Sequence, residues 1–471
     1  EPAAGKGSQA DSNPPEKPRF GRPAPPGRPD LPHPEKVCQI GLRIRADPWI
    51  WVTCSSALIY IATAVCFEVV AICGARSLAD AEEWGGAWRT MLRSAGRHWR
   101  GSGTGPMANS GTAEGVKIVT RCEDLLALRG VGSVGFYNGS DQTPEDIPFP
   151  SCLAAALRFI GEDYSWTTFT EKGKTWHRND LYIELLGASG MAFGLRWKAG
   201  WYQDAADMMF VADPTEIIRR SFAHVGYGFR GIDKSGNPGD EARFVNEITE
   251  SLRAGRPVLS FGVVGPPECG LITGYDEGGE VLIGWSYFQD LPPFNYGVEH
   301  EPDGTYRKRN WFPDTWSLIV IEDKVDRPEP ADRNAEILRW AVSVARNPGD
   351  RWGGGTQHTG LAAYDAWAKQ VTNDADFFTD DERVFRSRHE IHNSAVSIVA
   401  ECRWAASELL KMMAESQTKT APDLLAAADR FRREHDLMWQ AWGLVGGNGN
   451  PKAHEAFVDP QIRKELASVI L

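Results

Sequence analysis

Cys152 is the residue whose type and setting come closest to a nucleophile. It follows Pro150-Ser151, and Leu153, Ala156, Leu157 and Ile160 share one helical face. The spacing predicts a helix over 151–160 with Ser151 as N-cap and Cys152 at its start. There the helix dipole and free backbone N–H groups lower a thiol's pKa and favour the reactive thiolate. The same N–H groups could hold an oxyanion. A small buried Cys that merely packs at a helix start fits the same letters. A second group, Gly265-Pro266-Pro267-Glu268-Cys269-Gly270, sets a carboxylate and a thiol at the mouth of the apolar run Leu271-Ile272-Thr273-Gly274-Tyr275-Asp276. Such groups are costly to bury unless paired or functional, and an exposed loop is the alternative.

Other motifs lead elsewhere. Gly130-Val131-Gly132-Ser133-Val134-Gly135 matches GxGxxG. A dinucleotide site needs a strand before it and a helix after it, whereas the run 123–129 reads as helical and Tyr137 to Asp141 as turns. The sequence holds neither GxxxxGK[ST] nor HExxH. His389 and His392 are three apart on one helical face, and His435-Asp436 with Glu401 or Glu434 would be needed to complete a metal site between helices. Surface histidines fit equally, and no metal and no cofactor are expected. Trp is abundant at 18 residues; Trp197, within the Gly-rich stretch 187–200, and Trp285 are candidate walls of a pocket for a flat or apolar ligand, with Asp276 as a polar member.

The elements that position these residues fall into two kinds. Over 115–323, short β-rich runs alternate with helical ones: helices at 151–160 and 241–254, strands at 258–264, 271–275, 281–285 and 316–321, and a turn at Gly278-Gly279 that makes a hairpin. Beyond an acidic, Pro-containing linker at 326–330 the pattern is helical, with helices at 334–346, 361–371, 381–415, 423–444 and 460–470. Val384, His392, Val396, Val399, Trp404 and Leu409 are inward candidates on the long one. The fold class is α+β, a helix-on-antiparallel-sheet domain over 107–325 followed by an α-helical domain over 326–471.

Composition narrows the function. With 42% apolar and 24% charged residues the 471-residue chain is globular, and a net charge of −12 argues against a nucleic-acid partner. Eight Cys are too sparse for a disulfide scaffold. Residues 1–106 differ from the rest: they carry 13 Lys and Arg against 10 Asp and Glu, while the remainder carries 38 against 53. Up to Lys36 they are Pro-rich and expected to be disordered. The run 49–73 is apolar enough to cross a bilayer, with Glu68 as its charged member. Because Met107 opens Met-Ala-Asn-Ser after a Gly/Ser/Arg-rich stretch, residues 1–106 are expected to be an upstream extension of the reading frame. The working protein is then cytoplasmic. A membrane anchor through 49–73, if that run is genuinely translated, is the alternative.

A helix-leading Cys, a helix ending Ala-Gly-Arg-Pro-Val (254–258) and a strand ending Thr-Gly-Tyr-Asp (273–276) before a hairpin together resemble the papain-like cysteine peptidase and acyltransferase superfamily. The pattern is most similar to the branch of bacterial bacteriocin-leader-type peptidases and butirosin biosynthesis protein H-type acyltransferases, the latter also with a helical C-terminal domain. The resemblance spans about 146–322. It implies Cys152 as nucleophile, with the family's His position falling on Glu268, or on Cys269 if the register slips by one. The orienting Asn or Asp position falls near Trp285-Ser286, and the oxyanion Gln position on Asp146. A carboxylate beside a thiol raises its pKa, although a protonated Glu268 could act as an acid. Two functions follow as expectations: acyl transfer or hydrolysis of a small acyl, amide or peptide substrate through Cys152, with Glu268 and Cys269 assisting, or an inactive module that binds a small ligand or partner.

Overall fold

The structure is a computed structural model, and it describes residues 118–121, 124–136, 141–202, 210–211, 213–347, 357–378, 381–447 and 453–471. The chain divides into units 1–61 and 62–471, and every described residue belongs to the second. The Pro-rich stretch and the apolar run 49–73 lie outside the described residues. Among the described residues no helix is long and apolar enough to cross a membrane.

The architecture is mixed α and β, with a large antiparallel sheet and a helical C-terminal region. The chain enters through β1 (Ile118–Arg121) and β2 (Leu126–Arg129), then forms α1 (Pro148–Ile160), the hairpin β3 (Trp166–Glu171) and β4 (Lys174–Asn179), and α2 (Asp180–Ser189). After β5 (Arg196–Lys198) come α3 (Thr215–Val225), β6 (Tyr227–Asp233), α4 (Asp240–Arg253), β7 (Val258–Phe261), β8 (Cys269–Asp276) and β9 (Val281–Trp285). The sheet is completed by β10 (Val298–His300), β11 (Tyr306–Arg309) and β12 (Ser317–Lys324). Its order is β10-β11-β9-β8-β7-β12-β6, with β2 also pairing to β8 and β1 to β2. Strand β8 therefore sits at the centre of the sheet.

Two glycines permit that centre to close up. A Cβ on Gly274 would stand 2.7 Å from the carbonyl oxygen of Leu126, and one on Gly284 would stand 1.9 Å from that of Leu271. Larger residues there would push β2 or β9 off β8. The expected hairpin forms as β8, a 3-10 turn at Glu277–Gly279 and β9, paired from Asp276 opposite Val281. The expected strand 258–264 stops at Phe261, because Gly262 and Val263 both turn with positive φ. Within the run 123–129, Leu126–Arg129 form the strand β2 and not a helix: Leu126, Ala127 and Leu128 are all buried, and β2 pairs with β1 and β8. A strand thus does precede the glycine motif, but the motif residues 131–135 form a loop, and among the described residues that follow, 136 and 141–147, there is no helix.

Helix α1 packs on the sheet and begins earlier than the spacing predicts. It starts at Pro148, with Ile147 as an N-cap that makes no side-chain bond. Pro150 does not end the preceding segment, since the first residues of a helix have no intrahelical N–H partner to lose. Phe149, Leu153 and Leu157 are fully buried, each stabilising by about 2 kcal/mol.

The helical region holds α5 (Pro330–Arg346), β13 (Gln357–Thr359), α6 (Leu361–Val371), α7 (Glu382–Ser416), α8 (Ala421–Val445), α9 (Ala453–Val458) and α10 (Pro460–Ile470). On α7, His392, Val396, Val399, Trp404 and Leu409 face inward as expected, while Phe385 takes the buried place expected of Val384. One apolar core runs from the sheet and α1 through α2 into α5 and α7, including Ile337, Cys402 and Leu409. A second lies within the helical region around Trp197, Trp367 and Phe457.

Candidate functional site

The central strand and α1 bring the two candidate thiols together. Cys152 is 0% exposed and Cys269 is 2% exposed. The Cys152 thiol donates to the main-chain carbonyl of Cys269 at 3.5 Å. Because α1 starts at Pro148, Cys152 is its fifth residue, so its N–H lies inside the helical ladder and not at a free terminus. Burial holds the Cys269 thiol well above its ordinary pKa, and the Cys152 thiol and the Glu268 charge push the same way. Tyr287 and Tyr306 are both buried near Cys152, and the Tyr306 hydroxyl donates to Leu271 O at 3.3 Å.

Glu268 is half-buried at the start of β8. Its carbonyl accepts from Gly262 N at 3.2 Å and its N–H meets Pro266 O at 2.6 Å. Of the two positions the resemblance offers for its His, Cys269 is the one that meets Cys152. Among the described residues no imidazole bonds to Cys152 or Cys269. His177 bonds to Thr168 Oγ1 and faces Asp141, and His224 bonds to Glu184 at 2.8 Å. At the expected orienting position, Ser286 donates to Val264 O at 3.0 Å and brings no carboxylate. The main chain of Asp146, at the oxyanion position, donates to Glu401 at 2.9 Å.

An open cleft of about 540 Å³ lies over the N-terminal half of α1, and Ser151, not Cys152, lines it. Its floor is polar. Ser151 Oγ reaches Glu145 Oε2 at 3.5 Å, and Asn179 Nδ2 donates to the same oxygen at 3.2 Å. Asn179 is also the N-cap of α2, accepting from Tyr182 N at 3.3 Å, and its Oδ1 receives Arg158 Nη2 at 2.6 Å. One capping residue therefore fixes both ends of the floor. The walls are aromatic: Trp166 lies under the Arg158 guanidinium at 4.3 Å, Trp285 is half-buried, and Phe136 meets Tyr287 edge-on at 5.0 Å. The glycine-rich loop 132–135 forms part of the rim.

Two carboxyls serve this region. Burial pushes Glu145 up to about 7, against the opposing help of Asn179, Arg158 and Ser151. Burial pushes Glu401, reaching in from α7, up to about 8; the nearby charge of Asp146 adds to this. Glu401 receives the Tyr182 hydroxyl, which itself accepts from Ile147 N at 3.2 Å. The Tyr287 hydroxyl donates to the Glu145 carbonyl. Of these groups Glu145 and Tyr287 line the cleft, whereas Tyr182 and Glu401 lie behind it.

Against this geometry, comparison with known proteins is silent. No family model matches the chain, and no curated protein matches it.

Of the other residues the sequence singles out, Trp285 does line the cleft. Trp197 does not: it is fully buried in the second core, stacked on Trp367 at 5.4 Å with its Nε1 on Gln370. Asp276 pairs with Arg307 and caps the 3-10 turn, so it serves the hairpin. His389 bonds to Gly446 O, His435 to Ala400 O, and His392 accepts from Trp367 Nε1 at 3.1 Å. Burial drives His392 down to about 3. These three are structural, and Glu434 is held by Arg403. Among the described residues no group of three or more His, Cys, Asp and Glu could hold a metal ion. Glu145, Asn179 and Tyr287 were not foreseen. Asn179-Asp180 before an apolar run is a helix-start signal, but nothing in its spacing points to Glu145.

Proposed function

We propose that the chain is a papain-like module that binds a small ligand in the cleft over α1, and that it does not act through its thiol. The enclosure of Cys152 carries this reading: the side chain is 0% exposed and its Sγ is spent on a main-chain carbonyl. A thiol becomes a nucleophile as its thiolate, which needs a nearby cation, free N–H groups or a metal. Here its neighbours are a second, protonated thiol, a carboxylate and two phenols. The packing of α1 on β7 and β8, with Cys152 facing β8, supports the papain-like likeness. A cleft of about 540 Å³ suits a small molecule, and indole walls over a floor of Ser151, Glu145 and Asn179 suit one with a flat body and a few hydrogen-bonding groups.

Screening small molecules by ligand-observed NMR tests this. Hits should lose about tenfold or more in affinity with Trp285→Ala and keep it with Cys152→Ala. Hits that depend on Cys152 and ignore Trp285 would overturn the reading. Acyl transfer or hydrolysis through Cys152 is the second reading, favoured by the meeting of Cys152 with Cys269 at the slipped family position. Its mark would be an acyl adduct on Cys152 after incubation with a small thioester.

A further inference from the structure

We infer that the helical region carries a second ligand site, one that takes an apolar molecule ending in a neutral carbonyl oxygen. It is separate from the cleft and does not rest on it. A cavity of about 570 Å³ opens among α5, α6, α7, α8 and α10. Leu338, Ala341, Leu410, Phe431 and Met438 are representative of its walls, which are apolar almost throughout. That volume and lining fall within the usual range for small-molecule sites of roughly 300–1,000 Å³.

The polar groups converge at one place. Arg403 is 2% exposed and fully engaged: Nη1 donates to Ala192 O at 2.7 Å and Nη2 to Gly194 O at 3.1 Å. Its Nε donates to Glu434 Oε2 at 2.8 Å. Nε and Nη2 also donate to the Tyr364 hydroxyl oxygen, at 3.1 and 2.7 Å. The Tyr364 oxygen thus receives two charged N–H bonds, while its own proton has no acceptor among the described residues. A guanidinium on the oxygen strengthens the O–H as a donor. Tyr364 is half-buried, and a ligand that fills the apolar cavity displaces water from this O–H, so the site favours a ligand that brings an acceptor oxygen of its own.

Charge selects the kind of oxygen. Glu434 already balances Arg403, and Asp365 also lines the wall. An anionic head would add negative charge beside Glu434, and a cationic head would meet the guanidinium. The carbonyl of an amide, ester or ketone meets neither objection.

Titration of the full chain with decanamide, decanoate and decylamine, by calorimetry and thermal shift, tests the site. Decanamide should bind one equivalent, about tenfold or more tighter than either charged analogue. Tyr364→Phe should weaken decanamide about tenfold and leave butylbenzene, which has no head group, unchanged. Ala341→Trp, which fills the cavity, should abolish both while circular dichroism stays native; if that variant unfolds, Tyr364→Phe decides. Absence of saturable decanamide binding, equal or tighter binding of a charged analogue, or decanamide binding insensitive to Tyr364→Phe would overturn the proposal.

Discussion

Two pairs of ionisable groups are enclosed against α1, and their surroundings are opposite. Cys152 on the helix and Cys269 on β8 are buried between the two elements, near Tyr287 and Tyr306, with the Cys152 thiol on the Cys269 main chain. Glu145 and Glu401 lie at its N-terminal end, bonded to Ser151, Asn179, Tyr182 and the main chain of Asp146. Among the described residues no cation bonds to either thiol. The carboxyls have donors, and one of them opens on the cleft. The contrast teaches that residue type at an expected position does not make a reactive site; access to the cleft and the groups bonded to the side chain decide what it can do.

The largest effect should come from Glu401. Glu401→Ala removes the acceptor of the buried Tyr182 hydroxyl and of Asp146 N–H, at a cost of about 2–4 kcal/mol in urea denaturation. Glu401→Gln, whose amide oxygen can accept both bonds, should recover most of it. Cys152→Ala should cost about 1–2 kcal/mol, the loss of a small buried side chain. Equal losses at Glu401 and Cys152 would erase the difference between the pairs.

A smaller effect is expected in pH dependence. Both carboxyls hold their protons more tightly folded than unfolded, so their contribution to stability is complete below the ordinary value of 4.5. It is lost as pH rises through about 7 for Glu145 and about 8 for Glu401. The unfolding free energy should fall between pH ~5 and ~8, and Glu401→Gln should flatten that slope. A profile that rises over this window would contradict the assignment.

Much of the fold was legible because local rules decide it. The α6 and α10 bounds follow from the helical period, and the β8–β9 hairpin follows from Gly278-Gly279 between two apolar runs. The start of α1 lies earlier than its apolar spacing predicts, because prolines in a first turn cost no hydrogen bond and Pro148 and Pro150 both fit there. Strand β2 was misread because Leu126 and Leu128 suit either element, and its partner β8 lies far along the chain. The site was less legible for the same reason. Cys152 and Cys269 could be named from local context, but Glu145, Asn179, Tyr287 and Glu401 meet through contacts up to 255 residues apart. Trp197 reads like a pocket wall in its glycine-rich stretch, yet its indole N–H finds Gln370, and that bond lets it sit in the core.

The enclosure of Cys152 is tested most directly by its alkylation with iodoacetamide, resolved by mass spectrometry, in native buffer and in urea between pH 6 and 9. The account predicts that folded Cys152 reacts at least about 100-fold more slowly than unfolded Cys152 at every pH, since reaction must wait for the structure to open. Faster alkylation of folded Cys152 than of the unfolded residue, setting in below pH 8, would reveal a stabilised thiolate and contradict it.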